Sequence, residues 1–103
     1  MAKKILVYWR DIPSQVIVQR GRTREKAMLS ARFQAAIDRA AMRAGKGSSD
    51  AYIAEWRREA TALVADVDLA DAAATAARSF DAAYPDERLE ALVKNKGVAS
   101  GEH

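Results

Sequence analysis

Between Lys3 and Arg20 two β-branched apolar runs flank a short polar break. The first run, Ile5-Leu6-Val7-Tyr8-Trp9, predicts a strand. Side chains alternate across a strand, so Ile5, Val7 and Trp9 are expected on one face and Leu6 and Tyr8 on the other. Both faces are then apolar, which is the signature of a central strand covered at least partly on both sides. Arg10 to Ser14 is expected to turn, because Pro13 fixes its own φ and offers no ladder donor. The second strand, Gln15 to Arg20, sets Val16 and Val18 against Gln15, Ile17 and Gln19. Gly21 ends it, and Arg22 to Lys26 reads as a polar connection.

The pattern then changes to the helical period. Phe33, Ile37, Ala40, Ala41 and Ala44 form one stripe after Ser30, a good N-cap, and Gly45 and Gly47 end the helix. Leu69, Ala73, Ala76, Phe80 and Ala83 or Tyr84 form a second stripe over Asp66 to Tyr84, capped by Asp66 or Asp68. Pro85, Asp86 and Glu87 open a last helix whose apolar side is Leu89, Leu92 and Val93. Lys94 and Lys96 complement its C-terminus, and Gly97 ends it.

Residues 48–65 support two readings. Ser49 can cap a short helix running to Trp56. The stretch Arg57 to Val64 can continue as helix on local propensity, or form a third strand in which Ala60, Ala62 and Val64 alternate with Thr61 and Leu63. An isolated two-stranded hairpin is rarely stable, so the strand is adopted. The expected fold is α+β: a two- or three-stranded antiparallel sheet with helices packed on one face, in the order ββαβαα. One domain spans residues 1–95, and residues 96–103 are expected to be a disordered tail.

Composition narrows the chemistry. The chain has 103 residues, no Cys and one His, the terminal His103. Thiolate chemistry, disulfides and Cys-built metal sites are excluded. No apolar run approaches the roughly 18 residues of a membrane span, and the apolar run near the N-terminus is too short for a secretion signal. No membrane partner and a cytoplasmic location are therefore expected. The net charge of +3 is uneven: residues 1–26 carry seven Lys/Arg and two Asp/Glu, whereas residues 66–103 carry four and eight. A basic front can meet an anionic partner, or the two ends can neutralise each other.

Two Trp-Arg pairs, Trp9-Arg10 and Trp56-Arg57, hold both tryptophans of the chain. Trp and Arg are favoured at binding hot spots, and Arg stacks on aromatic faces. With Tyr8 and Asp11 they make a candidate partner-binding patch. The opposing reading makes both indoles core residues. The basic series Arg20, Arg22, Arg24 and Lys26 is a candidate phosphate contact, although no aromatic residue is interleaved with it to stack bases. Asp66, Asp68 and Asp71 lack the Gly and distal Glu of a calcium loop and read as helix caps. No catalytic residue, metal site or cofactor follows from the sequence, and the oligomeric state is open.

Trp9-Arg10-Asp11-Ile12-Pro13, Gln15-Val16-Ile17-Val18, Arg32 to Asp38, and Ala83-Tyr84-Pro85 with Glu87-Arg88-Leu89 together resemble the small bacterial domain family labelled virulence factor. The resemblance covers most of residues 3–93. That label describes a phenotype and transfers no catalytic residue. The resemblance implies an accessory protein that accompanies cobalamin- or folate-dependent one-carbon enzymes. The function expected is that of a non-catalytic adaptor for a larger protein such as a methyl-transfer enzyme. The alternative is a nucleic-acid-binding module using the basic segment after the hairpin.

Overall fold

A computed structural model of the chain describes residues 2–63 and 68–99. Four strands, β1 (Ala2–Trp9), β2 (Ile12–Arg20), β3 (Thr23–Met28) and β4 (Trp56–Leu63), form one antiparallel sheet in the order β3-β2-β1-β4. The helices are α1 (Ala31–Arg43), the short α2 (Ser49–Ala54), α3 (Leu69–Ala83) and α4 (Asp86–Lys94). The fold is α+β with an N-terminal hairpin. As its two apolar faces require, β1 is a central strand, paired with β2 on one side and β4 on the other.

The strand expected near residues 57–64 is present as β4. The polar connection expected at Arg22 to Lys26 is instead the edge strand β3, so the sheet has four strands and not two or three. Its sequence, Thr-Arg-Glu-Lys-Ala-Met, has no apolar alternation to announce it. Its ladder with β2 forms it, running from Gln15 opposite Met28 to Arg20 opposite Thr23. Charged edge strands of this kind resist pairing with other chains.

The main core lies between the sheet and the helices. Leu6 and Tyr8 from β1 and Val16 and Val18 from β2 meet Phe33, Ile37 and Ala40 of α1, Leu69, Ala73 and Ala77 of α3, and Leu89, Leu92 and Val93 of α4. The small Ala side chains let α3 lie close to β2 and β3. Asp68 caps α3 by accepting from the Asp71 N–H at 3.0 Å; Asp66, the other expected cap, lies outside the described residues. Ser30 occupies the N-cap position of α1, but its hydroxyl donates to Asp81 of α3 at 3.1 Å instead of capping. The same carboxylate pairs with Arg32 at 2.9 Å, so the start of α1 is tied to the end of α3.

A smaller cluster, Ile5, Val7 and Ile17, sits on the opposite sheet face with Trp56 against it. Trp9 does not join Ile5 and Val7 as strand alternation predicts. Its indole is fully buried in the main core. It stacks on Tyr52 with ring centroids 5.8 Å apart, and its Nε1–H donates to the Tyr52 carbonyl at 2.9 Å.

Residues 96–99 form a turn against the hairpin corner. Gly97 adopts φ +89°, donates its N–H to the Leu92 carbonyl at 2.7 Å and accepts from the Asp11 N–H at 2.8 Å. A Cβ there would lie 2.9 Å from Trp9 Cζ3, so the backbone covers the indole as only glycine can. The rest of the expected tail, residues 100–103, lies outside the described residues.

Trp9→Ala is expected to destabilise the domain by about 3–5 kcal/mol, the range for emptying a large aromatic site. Urea unfolding followed by circular dichroism measures it. A loss below about 1 kcal/mol, ordinary for a surface change, contradicts a core role for this indole.

Candidate functional site

The β1–β2 hairpin turns in two residues, Arg10 and Asp11. Such turns favour a first residue with positive φ, and Arg10 adopts φ +54°, uncommon for a residue with a Cβ. Neighbouring segments hold it there. Its N–H donates to the Glu55 carbonyl at 3.1 Å and its guanidinium to the Lys96 carbonyl at 3.0 Å. Its Nε lies 3.3 Å from the Glu55 carboxylate, which also pairs with Lys46 at 3.3 Å.

The β1–β4 register sets Tyr8 opposite Arg57 and Trp9 opposite Trp56. This brings one Trp-Arg pair beside the other. The Arg57 guanidinium lies 4.4 Å from the Tyr8 ring centroid, donates to the Arg10 carbonyl at 2.7 Å, pairs with Asp11 at 2.9 Å and also pairs with Glu59. The second Asp11 oxygen accepts from the Ala99 N–H at 2.6 Å. Asp11 thus clamps the C-terminal turn to β4.

Opposite stand Tyr84 and Arg88, at the junction before α4 and in its first turn. Arg88 lies 3.9 Å from the Tyr84 ring centroid and donates to the Ala83 carbonyl at 2.8 Å. Phe80 and Phe33 fix the Tyr84 ring at centroid distances of 6.2 and 5.9 Å. Between the two Arg-over-Tyr stacks lies an open cleft of about 380 Å³, whose walls include Tyr8, Asp11, Arg57, Tyr84, Arg88 and Leu92.

Burial first, and the negative charge of Glu59 second, push the Tyr8 phenol above its ordinary value. It therefore stays protonated near neutrality and serves as a hydrogen-bond donor, not a base. Arg57 and Asp11 are spent on each other. Arg88 is exposed and presents a cation already oriented by an aromatic ring. The arrangement suits recognition of a carbonyl, a carboxylate or an aromatic group more than proton transfer.

Of the expected partner-binding residues, Tyr8, Asp11 and Arg57 meet at the cleft. Arg10 supports it from behind, Trp9 is buried in the core, and Trp56 turns toward the other sheet face. The sequence reading missed Tyr84 and Arg88. Their signal was the spacing of four across a helix start, which puts a cation over an aromatic ring.

The basic series divides. Alternation places Arg24 and Lys26 on the face opposite the helices and Arg20 on the helix side, while Arg22 sits in the β2–β3 turn. No group of three or more His, Cys, Asp or Glu able to hold a metal occurs among the described residues, and none of their helices is long and apolar enough to cross a membrane.

The fold and site define a small α+β domain with helices on one side of a four-stranded sheet and an aromatic, Arg-rich cleft at one end. A family model described as virulence factor matches residues 7–93, most of the chain, and the protein belongs to that family. No curated protein and no solved structure matches it.

The Arg10 hydrogen bond, helped by Lys46, holds the Glu55 carboxyl below its ordinary value of 4.5 against the opposing pull of burial. A carboxyl with a lowered folded-state pKa adds stability above its unfolded value, and that stability is lost as pH falls through the folded value. The wild type should therefore lose stability on acidification below about pH 4.5, and Glu55→Gln should lose less over that window. Urea midpoints against pH measure this; parallel profiles for the two proteins contradict it.

Proposed function

We propose that this protein is a non-catalytic accessory domain that docks onto a larger protein through the cleft between Tyr8–Arg57 and Tyr84–Arg88. The observation that carries the reading is the pair of stacked Arg–Tyr units on either side of an open cleft. Arg and Tyr are the residue types that most often dominate binding energy at protein interfaces. Their cost of ordering is already met within the free domain, since Asp11, Glu59, Phe33 and Phe80 fix the rings and one guanidinium. An apolar floor at Ala91, over the buried Leu92, adds the desolvated contact such anchors need.

The partner class comes from the family resemblance: a cobalamin- or folate-dependent one-carbon enzyme, with methyl-transfer enzymes foremost. The domain brings no metal or cofactor of its own to this role. On one wall of the cleft Arg57, Asp11 and Glu59 compensate one another, so Arg88 is the cation through which ionic strength should act on the domain's affinity.

Arg88→Ala tests the cleft because its side chain is exposed and outside the core. With a purified one-carbon enzyme from the same cell as partner, calorimetry should show binding to the wild-type domain. Arg88→Ala should weaken it by about 2 kcal/mol, a hot-spot loss, while leaving the melting temperature within a few degrees. Equal affinity for both proteins, or no complex with any enzyme of this class, overturns the reading.

A further inference from the structure

The sheet face away from the helices carries a second arrangement, which shares only Arg57 with the walls of the cleft. No helix residue belongs to the Ile5, Val7 and Ile17 cluster there, yet all three side chains are buried. Long side chains from the edge strands cover them. Arg24 and Lys26 reach in from β3 and Arg58 from β4, and with Gln15 and Ile17 they line a hollow of about 310 Å³.

The charge on this face is of one sign. Strand alternation places Lys3, Arg24, Lys26 and Arg58 on it, and sends Glu25 and Glu59 to the other side. The side chains of Lys3, Arg24, Lys26 and Arg58 make no ion pair or hydrogen bond with any described residue, whereas their backbones are tied into the sheet. By contrast, Arg10, Arg32, Arg39 and Arg57 are all paired with carboxylates. Cations gathered around one hollow with no acid repel one another, and an anion seated among them relieves this.

A second hollow of about 470 Å³ adjoins the first and shares Gln15 and Arg58 as walls. It ends on Val7 and the half-buried Trp56. The side-chain oxygen of Gln15 is buried with no hydrogen-bond partner in the protein. It lies at the join between a cationic hollow and an aromatic one, where it can accept from an N–H donor.

We infer that this face binds a nucleoside phosphate, with the phosphate among Arg24, Lys26 and Arg58 and the base against Trp56, where Gln15 accepts from it. The three elements match the three parts of that ligand. Guanidinium and ammonium groups take phosphate oxygens, an indole face takes a base, and an orphan amide oxygen takes an amino or imino N–H. An acidic protein surface would satisfy the cations but leave the indole and the Gln15 oxygen unused. A free nucleotide and one unit of a single strand share this chemistry. Cations lying over an apolar floor merely to keep it soluble predict no selectivity for such a ligand.

The test titrates the full chain with adenosine monophosphate, a single-stranded oligonucleotide, inorganic phosphate and polyglutamate, reading tryptophan fluorescence and calorimetric heat. Trp9 is sealed in the core, so quenching reports Trp56. Adenosine monophosphate or the oligonucleotide should bind and quench. Arg58→Ala, and separately Arg24→Ala with Lys26→Ala, should weaken binding about tenfold or more, the loss of a charged hydrogen bond. Trp56→Phe should remove the quench. Tighter oligonucleotide binding with steep salt dependence identifies a strand; equal affinity for the mononucleotide identifies a free ligand. Arg88→Ala should bind like the wild type, which separates this face from the docking cleft. Absence of binding by both nucleotide probes, equal binding of polyglutamate without quenching, or unchanged affinity in the folded Arg variants overturns the inference.

Discussion

Trp9 closes the end of the central strand with its indole wholly out of solvent, and segments far apart in the chain meet around it. Tyr52 stacks on it and accepts its N–H, Trp56 pairs across from it, and Gly97 lays bare backbone against its ring. The next residue, Arg10, turns the chain with positive φ and ties Glu55 and Lys96 to the same corner. Without this junction the short α2 and the C-terminal turn have little else to hold them to the sheet. The cleft depends on it as well, because Asp11 reaches both Arg57 and Ala99 only once the hairpin corner and the C-terminal turn are fixed together.

The sheet then presents two different sides. Toward the helices it is apolar and filled, with ion pairs such as Arg32–Asp81 and Arg39–Glu90 joining the helices around its edge. These pairs link the middle of the chain to its acidic back. The basic front is not neutralised in the same way, since Arg24 and Lys26 stand on the open side with Arg58 and Lys3. The uneven charge along the sequence is thus resolved into a compensated helical layer and an uncompensated sheet face. A domain of this size can carry two surfaces of different character because one four-stranded sheet separates them.

The hairpin was legible because Ile5 to Trp9 and Val16 to Val18 have no other good use than strands. The central position of β1 followed from its two apolar faces. β4 was legible only through a tertiary argument, since its Arg, Glu and Ala residues prefer helix locally. β3 was not legible: Thr23 to Met28 becomes a strand through the partner it finds and not through its own pattern. Burial of Trp9 was one of the two readings the sequence allowed, but the contacts that bury it were hidden for a related reason. It depends on Gly97, 88 positions away, and on the Tyr52 carbonyl, neither of which adjacency to Arg10 reveals. For the cleft, Tyr8, Asp11 and Arg57 could be grouped from the Trp-Arg pairs, but Tyr84 and Arg88 join them only through the packing of α4.

The two tryptophans have opposite situations: Trp9 is locked in the core junction and Trp56 lies half-open on the sheet. Hydrogen exchange of the two indole N–H groups, followed by nuclear magnetic resonance, tests it most directly. Trp9 Nε1–H is expected to exchange only through global unfolding, at the rate of the slowest β1 and β2 amides, and Trp56 orders of magnitude faster. Fast exchange of both indoles would contradict the junction, and with it the anchoring of the hairpin corner, α2 and the C-terminal turn.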